Sequence, residues 1–177
     1  MKKEQQTHDI PCECGGLLRP AKLDVYDFSD YVGLNVTVNN VDGFRCDKCG
    51  GETVDGSLIN MVTNYTIVQV AKSQHRLNGD EARYLRRSLH ATQSELAARM
   101  GIDRVTVADW ERGAEKISPQ HDYILRGLTL AWMVAENLLV PNQMKEILGS
   151  VGNTVRQEPP KKTTAPIAVP NPQSLHA

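Results

Sequence analysis

Apolar residues recur along this chain with two different periods. Lys22–Tyr26 (KLDVY) and Asn35–Asn39 (NVTVN) alternate apolar and polar, with turn-rich YDFSD and NNVDG between the runs. That pattern predicts a small three-stranded sheet too short to bury a core of its own. The spacing then lengthens to that of a helix. Leu58, Met61, Val62, Tyr65 and Val68 share one face of a helix over 57–75, capped by Ser57, although the β-branched run Thr66–Val70 leaves a strand open there. Asn78 caps a further helix with Asp80 and Glu81 in its first turn and Leu85 and Leu89 on its inner face. Ser118-Pro119 starts a long helix that runs to about Leu139 and stops at Pro141. Leu125, Leu128, Thr129, Trp132, Met133, Glu136 and Leu139 give it a face larger than a four-helix core needs, so part of it is a candidate dimer contact. A short helix, 142–148, follows.

The expected architecture is α+β: a small β-rich zinc-binding module (1–56), a connecting helix (57–77), an all-α helix-turn-helix domain (78–150) and a disordered, proline-rich tail (151–177). Residues 1–11 read as a loose start.

The most informative stretch is Thr92–Arg112, TQSELAARMGIDRVTVADWER. Thr92 and Glu95 make a capping box, Leu96 and Met100 lie on one face, and Gly101 supplies a turn that needs φ > 0. Asp103 caps a second helix with Val107 and Trp110 facing inward, and Ala97 is small where the two helices cross. Gln93, Ala97, Gly101, Val107 and Trp110, followed by Glu111-Arg112-Gly113, resemble the helix-turn-helix of the phage-repressor (Xre) family. With its flanking helices the resemblance covers about Asn78 to Leu139.

With Val107 and Trp110 inside, Val105, Asp109 and Arg112 turn outward, with Thr106 and Ala108 on the flanks. Arg104 stands in the first turn, where docked helices reach base edges. Arginine pairs with guanine, a carboxylate accepts from cytosine N4, and valine meets a thymine methyl. Asp109 either contacts a base or orients Arg112 through an i,i+3 pair. Thr92, Gln93 and Lys116 are placed to hold phosphates. Arg83, Arg86 and Arg87 either meet phosphate or form a solvated face.

Charge and cysteine content change the picture in two ways. The net charge of the 177 residues is only −1, but it is unevenly placed. Acids dominate residues 1–75, whereas Arg76, Arg83, Arg86, Arg87, Arg99, Arg104, Arg112, Lys116 and Arg126 fall in the helix-turn-helix third. That gives a local basic footprint for DNA and an acidic half that faces something else. All four cysteines lie in two pairs, Cys12/Cys14 (PCECGG) and Cys46/Cys49 (CDKCGG), each followed by Gly-Gly. Four thiolates in two knuckles suit structural, tetrahedral zinc. A disulfide is disfavoured because nothing directs the chain to an oxidising compartment, and a redox Cys-x-x-Cys would open a helix. A catalytic zinc keeps an open position, which four thiolates would fill. The five histidines are scattered, no phosphate loop or serine elbow is present, and no catalytic set emerges. Two lysines without an apolar run behind them do not make a secretory signal, and no run is long enough to span a membrane, so the cytoplasm is the expected location.

The order of parts, a two-knuckle cysteine module before an Xre-type helix-turn-helix, resembles the MqsA antitoxins with their YgiT-type zinc finger over about residues 12–139. The resemblance implies structural zinc on Cys12, Cys14, Cys46 and Cys49 and a toxin-binding N-terminal module. It also implies a C-terminal domain that dimerises and binds a palindrome in its own promoter. Two departures stand out. The first pair is Cys-x-Cys where the family has Cys-x-x-Cys, and the family's asparagine and arginine base readers are Val105 and Asp109 here. The expectation is therefore a homodimeric repressor on double-stranded DNA, with a small basic toxin as partner. The alternative is a stand-alone regulator whose zinc module is a scaffold or ligand sensor.

Overall fold

Two long strands, β2 (Leu17–Asp27) and β3 (Val36–Cys46), form an antiparallel ladder in the computed structural model, which describes residues 10–151 and 166–169. The short strands β1 (Ile10–Pro11) and β4 (Glu52–Thr53) flank them antiparallel in the order β1-β2-β3-β4. Pro11 thus belongs to the sheet, not to a loose start. A short helix α1 (Ser29–Val32) closes the β2–β3 connection, where YDFSD predicted a turn. NNVDG is not a turn; it runs through the middle of β3. Gly43 is needed there for space, since a Cβ would stand 2.7 Å from both the Leu23 side chain and the Thr53 carbonyl. At Asn40 (φ 54°) the inward face of β3 changes parity, from Val36 and Val38 to Val41.

The sheet does have a core, because a helix supplies its other side. Helix α2 (Gly56–Lys72) is capped by Asp55, which accepts the Ser57 N–H, two residues ahead of the expected cap. Its buried residues are Leu58, Val62, Thr66, Ile67, Val70 and Ala71. Met61 is exposed, so the stripe is rotated from the expected one. The β-branched run stays helical because this face is covered by α1 on one side and by helices of the C-terminal half on the other. Leu23, Phe28, Val36, Val38 and Val41 therefore join Leu58, Val62 and Ile67 in a continuous apolar core. The knuckle segments 10–18 and 47–52 lie outside that core.

Five more helices follow: α3 (Gly79–Ser88), α4 (Gln93–Met100), α5 (Arg104–Arg112), α6 (Pro119–Ala135) and α7 (Pro141–Val151). The long helix ends at Ala135, earlier than Leu139, and Pro141 opens α7 instead of merely stopping α6. The fold is α+β: an antiparallel four-strand sheet carrying a four-cysteine cluster, then an all-helical region.

Arg126 is not part of a basic surface. Arg126 and Asp122 are both fully buried, with Nε to Oδ1 at 2.6 Å. The guanidinium donates to the carbonyls of Val70, Ala71, Ser73 and His75 at 2.7–3.2 Å, and Asp122 Oδ2 accepts the Leu77 N–H. The orphan carbonyls at the end of α2 are thereby satisfied by a side chain of α6.

The tail is not wholly irregular either. Ile167–Val169 forms β5, parallel to Val36–Val38, with Val169 buried. Two β-branched residues two apart, docked on an edge beside α2, outweigh the proline-rich composition there. The rest of the expected tail, 152–165 and 170–177, lies outside the described residues, as do residues 1–9 with His8. No described helix is long and apolar enough to cross a membrane.

Candidate nucleic-acid interface and metal centre

Local chemistry fixes the two helices of the candidate DNA-reading unit. Thr92 and Glu95 form the full capping box of α4, and Gly101 ends it at φ 67°. Ala97 is buried at the crossing, and α5 buries Val107 and Trp110. Asp103 occupies the cap position of α5, but its side chain makes no capping hydrogen bond. The start of α3 seats against the end of α5 so closely that a Cβ on Gly79 would lie 2.5 Å from the Trp110 carbonyl.

A buried acid then locks this unit. Glu111, 5% exposed, sits on the inner face of α5 beside Trp110. Arg86 Nε donates to its Oε1 at 2.5 Å, while Arg86 Nη2 and Gln93 Nε2 each donate to its Oε2 at 3.0 Å. Arg83 Nη2 donates to the Glu111 carbonyl at 2.6 Å, and Arg86 Nη1 to the Ala91 carbonyl at 2.7 Å. Burial raises the Glu111 pKa, but hydrogen bonds from Arg86 and Gln93 and the charges of Arg86 and Arg83 outweigh it and hold the carboxyl below its ordinary value. Arg83 and Arg86 are thus held on Glu111 and do not form a solvated face. Arg87 alone of the three is exposed.

The opposite face of α5 is open. Val105 is 61% exposed, and Arg104 and Arg112 are exposed with it. Arg104, Val105, Ala108 and Arg112 line a shallow concavity of about 370 Å³, closed on the other side by Arg83 and Gln93. Asp109 and Arg112 form the i,i+3 ion pair, the orienting alternative for Asp109. Thr106 is half-buried on the flank, and Lys116 is exposed in the loop before α6. Thr92 is exposed at the N-terminus of α4, its hydroxyl accepting the Glu95 N–H at 3.2 Å. The His121 ring lies 5.2 Å from that of Trp110, and its Nδ1 meets the Ser118 hydroxyl at 3.0 Å.

Residues 83–121 match the model of the helix-turn-helix family HTH_3. The chain carries a DNA-binding helix-turn-helix domain. The matched residues span the buried Glu111 lock and the whole exposed face of α5. No curated protein and no solved structure matches the chain. Domains of this family are typically non-enzymatic, and their presence points to a transcription regulator.

At the other end of the molecule the four cysteines converge. Cys12, Cys14, Cys46 and Cys49 place all four sulfurs within 4.8 Å of one another, with Cys12–Cys49 at 3.8 Å and Cys14–Cys46 at 3.4 Å. A tetrahedral zinc with bonds near 2.3 Å sets its sulfurs about 3.8 Å apart, so this donor set fits the ion. Both knuckles turn the same way. Gly15 N–H bonds to the Cys12 carbonyl and Gly50 N–H to that of Cys46, at φ 78° and 70°. The tighter Cys-x-Cys spacing therefore still presents two sulfurs. Backbone N–H groups of Cys49 and Lys48 pull the Cys46 thiol down to about 6, which favours the thiolate a metal takes. For Cys14 the Gly16 N–H acts in the same direction, but the neighbouring thiols of Cys46 and Cys49 and desolvation prevail and push it up to about 12. Lys48 Nζ and Asp47 Oδ1 tie the knuckles together through the Cys14 carbonyl and the Leu17 N–H, both at 2.9 Å.

Sequence reasoning missed Glu111, Asp122 and Arg126. Glu111 had one signal: arginines three apart on α3 facing an acid adjacent to an inward tryptophan. For Asp122 and Arg126 the i,i+4 spacing alone looks like any surface pair.

Proposed function

We propose that the protein is a sequence-specific repressor of transcription that binds DNA as a homodimer, with structural zinc on Cys12, Cys14, Cys46 and Cys49. The observation that carries this reading is the exposed row Arg104, Val105 and Arg112 on a helix whose other face is locked by Val107, Trp110 and Glu111. Arg104 is the candidate reader of a guanine edge and Val105 of a thymine methyl, with Thr106 flanking them. Asp109 aims Arg112. Thr92, at the open end of α4, keeps its O–H to donate to a phosphate, Gln93 has a second amide N–H, and Lys116 adds a cation. Zinc held by these four thiolates would tie the two knuckles together.

The expected dimer face does not serve, because Leu125, Thr129, Met133 and Leu139 are buried within the protomer; the proposed homodimer contact is the outward face of α6 instead. Tyr123 and Ile124 are about 40% exposed and Gly127 follows one turn on, with no charged side chain on this strip through Ala131. A two-fold dimer with its α5 helices about 34 Å apart would fill successive major grooves and exclude polymerase. Selection of duplexes from a random pool should return a two-fold symmetric site. Recovered sequences without a shared motif would refute specific recognition.

As a finer reading, the protein is an antitoxin. Support comes from the likeness to the MqsA family and from the exposed Asp24, Val25, Asp27, Asp30 and Tyr31 on the sheet half, an acidic surface suited to a basic protein. A native pull-down with mass spectrometry tests it. A small basic protein retained by the sheet half is the expected result, and recovery of the homodimer alone would refute it. One feature favours a ligand-sensing regulator instead: a groove of about 590 Å³ between α1, α2, α3 and α6, lined by Tyr31, Asn64, Arg87, His90 and Trp132.

A further inference from the structure

Strand β5 is unlike every other strand of the sheet. It is three residues long, it is the one parallel strand among the described residues, and it arrives from the far end of the sequence. Its Ile167 N–H donates to the Asn35 carbonyl at 2.9 Å, so the donors of residues 167 and 169 face β3 and those of 166 and 168 face away. Residue 166 is a proline, which has no N–H to offer a further strand. Ile167 and Val169, two apart, therefore share a face, and that face closes on the core: Val169 is 4% exposed and Ile167 packs against the same cluster. Helix α2 forms the wall behind it.

These contacts describe a recognition mode. Backbone pairing to an edge strand gives attachment, and pockets for alternate side chains give selectivity. The docking sets the burial of two side chains against the ordering of a segment with no other sheet neighbour among the described residues. Attachment through residues 152–165 is what keeps its local concentration high.

We propose that the β3 edge at Val36–Val38, with the α2 wall beside it, is a peptide-accepting slot that residues 167–169 fill as an internal ligand. The partner it fits is an extended protein segment running parallel to β3, with β-branched residues at two positions separated by one small residue. Such a segment displaces β5 and frees the tail. This reading depends neither on DNA binding nor on the identity of the metal.

The test uses the full chain carrying Val169→Asp, which removes the buried anchor, and hydrogen exchange of the Thr37 amide, whose N–H faces the Ile167 carbonyl in this parallel register. Exchange there should be about tenfold faster than in the unsubstituted chain. A peptide of residues 163–172, Thr-Thr-Ala-Pro-Ile-Ala-Val-Pro-Asn-Pro, added at millimolar concentration, should restore protection. The same peptide with valine replaced by aspartate should not. On the unsubstituted chain the peptide should bind about tenfold more weakly, because the slot is filled. Ile167→Asn, at the half-buried end, repeats the measurement with less disturbance of the core. Unchanged exchange in the variants, or fast exchange that the peptide does not slow, would overturn the proposal. So would unfolding of both variants, since β5 would then be an integral core strand.

Discussion

Arg86 on α3 and Glu111 on α5 meet through two hydrogen bonds, at 2.5 and 3.0 Å, with side chains only 11% and 3% exposed. This pair sets how α5 sits against the rest of the domain, since Gln93 of α4 and Arg83 converge on the same acid. Replacing Glu111 with alanine leaves Arg86 buried without a counter-charge and should cost about 3 kcal/mol of stability. Denaturant unfolding measures it directly.

Because the folded-state pKa of Glu111 is depressed, its contribution is present above the ordinary carboxylate value, near 4.3, and is lost as pH falls through the lower folded value. Stability of the unsubstituted chain should therefore fall more steeply below about pH 4 than that of Glu111→Gln. Parallel profiles for the two proteins would show that Glu111 titrates normally.

On the outer face, Arg104→Ala should cost about 1–3 kcal/mol of binding and relax discrimination at one base pair. Lys116→Ala should instead weaken binding to all sequences alike and reduce the salt slope by about one. Titrations against the selected site and its single-base variants separate the two roles. Undiminished discrimination in Arg104→Ala would remove it from the readers.

Cys46→Ser should release about one metal ion per chain, read by elemental analysis, because a tetrahedral shell loses one of its four donors. The structure limits the damage. The knuckle segments contribute nothing to the core that joins the sheet to α2, so the loss should fray residues 10–18 and 46–52 while the far end of the sheet holds. Exchange protection at Val36–Val41 equal to that of the unsubstituted chain is the expected reading. Full metal content in the variant would refute the four-cysteine site.

Gly127 offers a test of the proposed dimer. A Cβ there meets nothing within 4 Å in the protomer, and leaving glycine in mid-helix gains up to about 1 kcal/mol. Gly127→Gln should thus keep or raise protomer stability yet shift sedimentation to the monomer and weaken operator binding. A variant that remains dimeric would place the contact elsewhere.

What was legible in the sequence is what is decided within a few residues. The cap at Asn78, the capping box at Thr92, the φ > 0 turn at Gly101 and the inward pair Val107/Trp110 each depend on neighbours at most four positions away. The cysteine pairs were equally plain, since thiols at knuckle spacing have few other uses. The failures are long-range. Arg126 reads as surface charge until α2, more than fifty residues earlier, presents its open carbonyls. Gly43 reads as a turn until Leu23 is seen to need its space. Ile167–Val169 has no strand character without the β3 edge that receives it. In the candidate DNA-reading unit, the outward positions could be inferred from periodicity. The acid that fixes their orientation was harder to place, because beyond its place next to Trp110 its signal is the pair of arginines on α3, far away in sequence.

Arg126 has a mechanical consequence. One guanidinium is bonded both to the last turn of α2 and to the Asp122 carboxylate of α6, and Asp122 also holds the Leu77 amide, so residues 73–77 are a rivet with no slack. The end of α2 and the first turns of α6 are thereby joined through one side chain. Loss of this one guanidinium would therefore loosen the end of α2, the 73–77 connection and the start of α6 together.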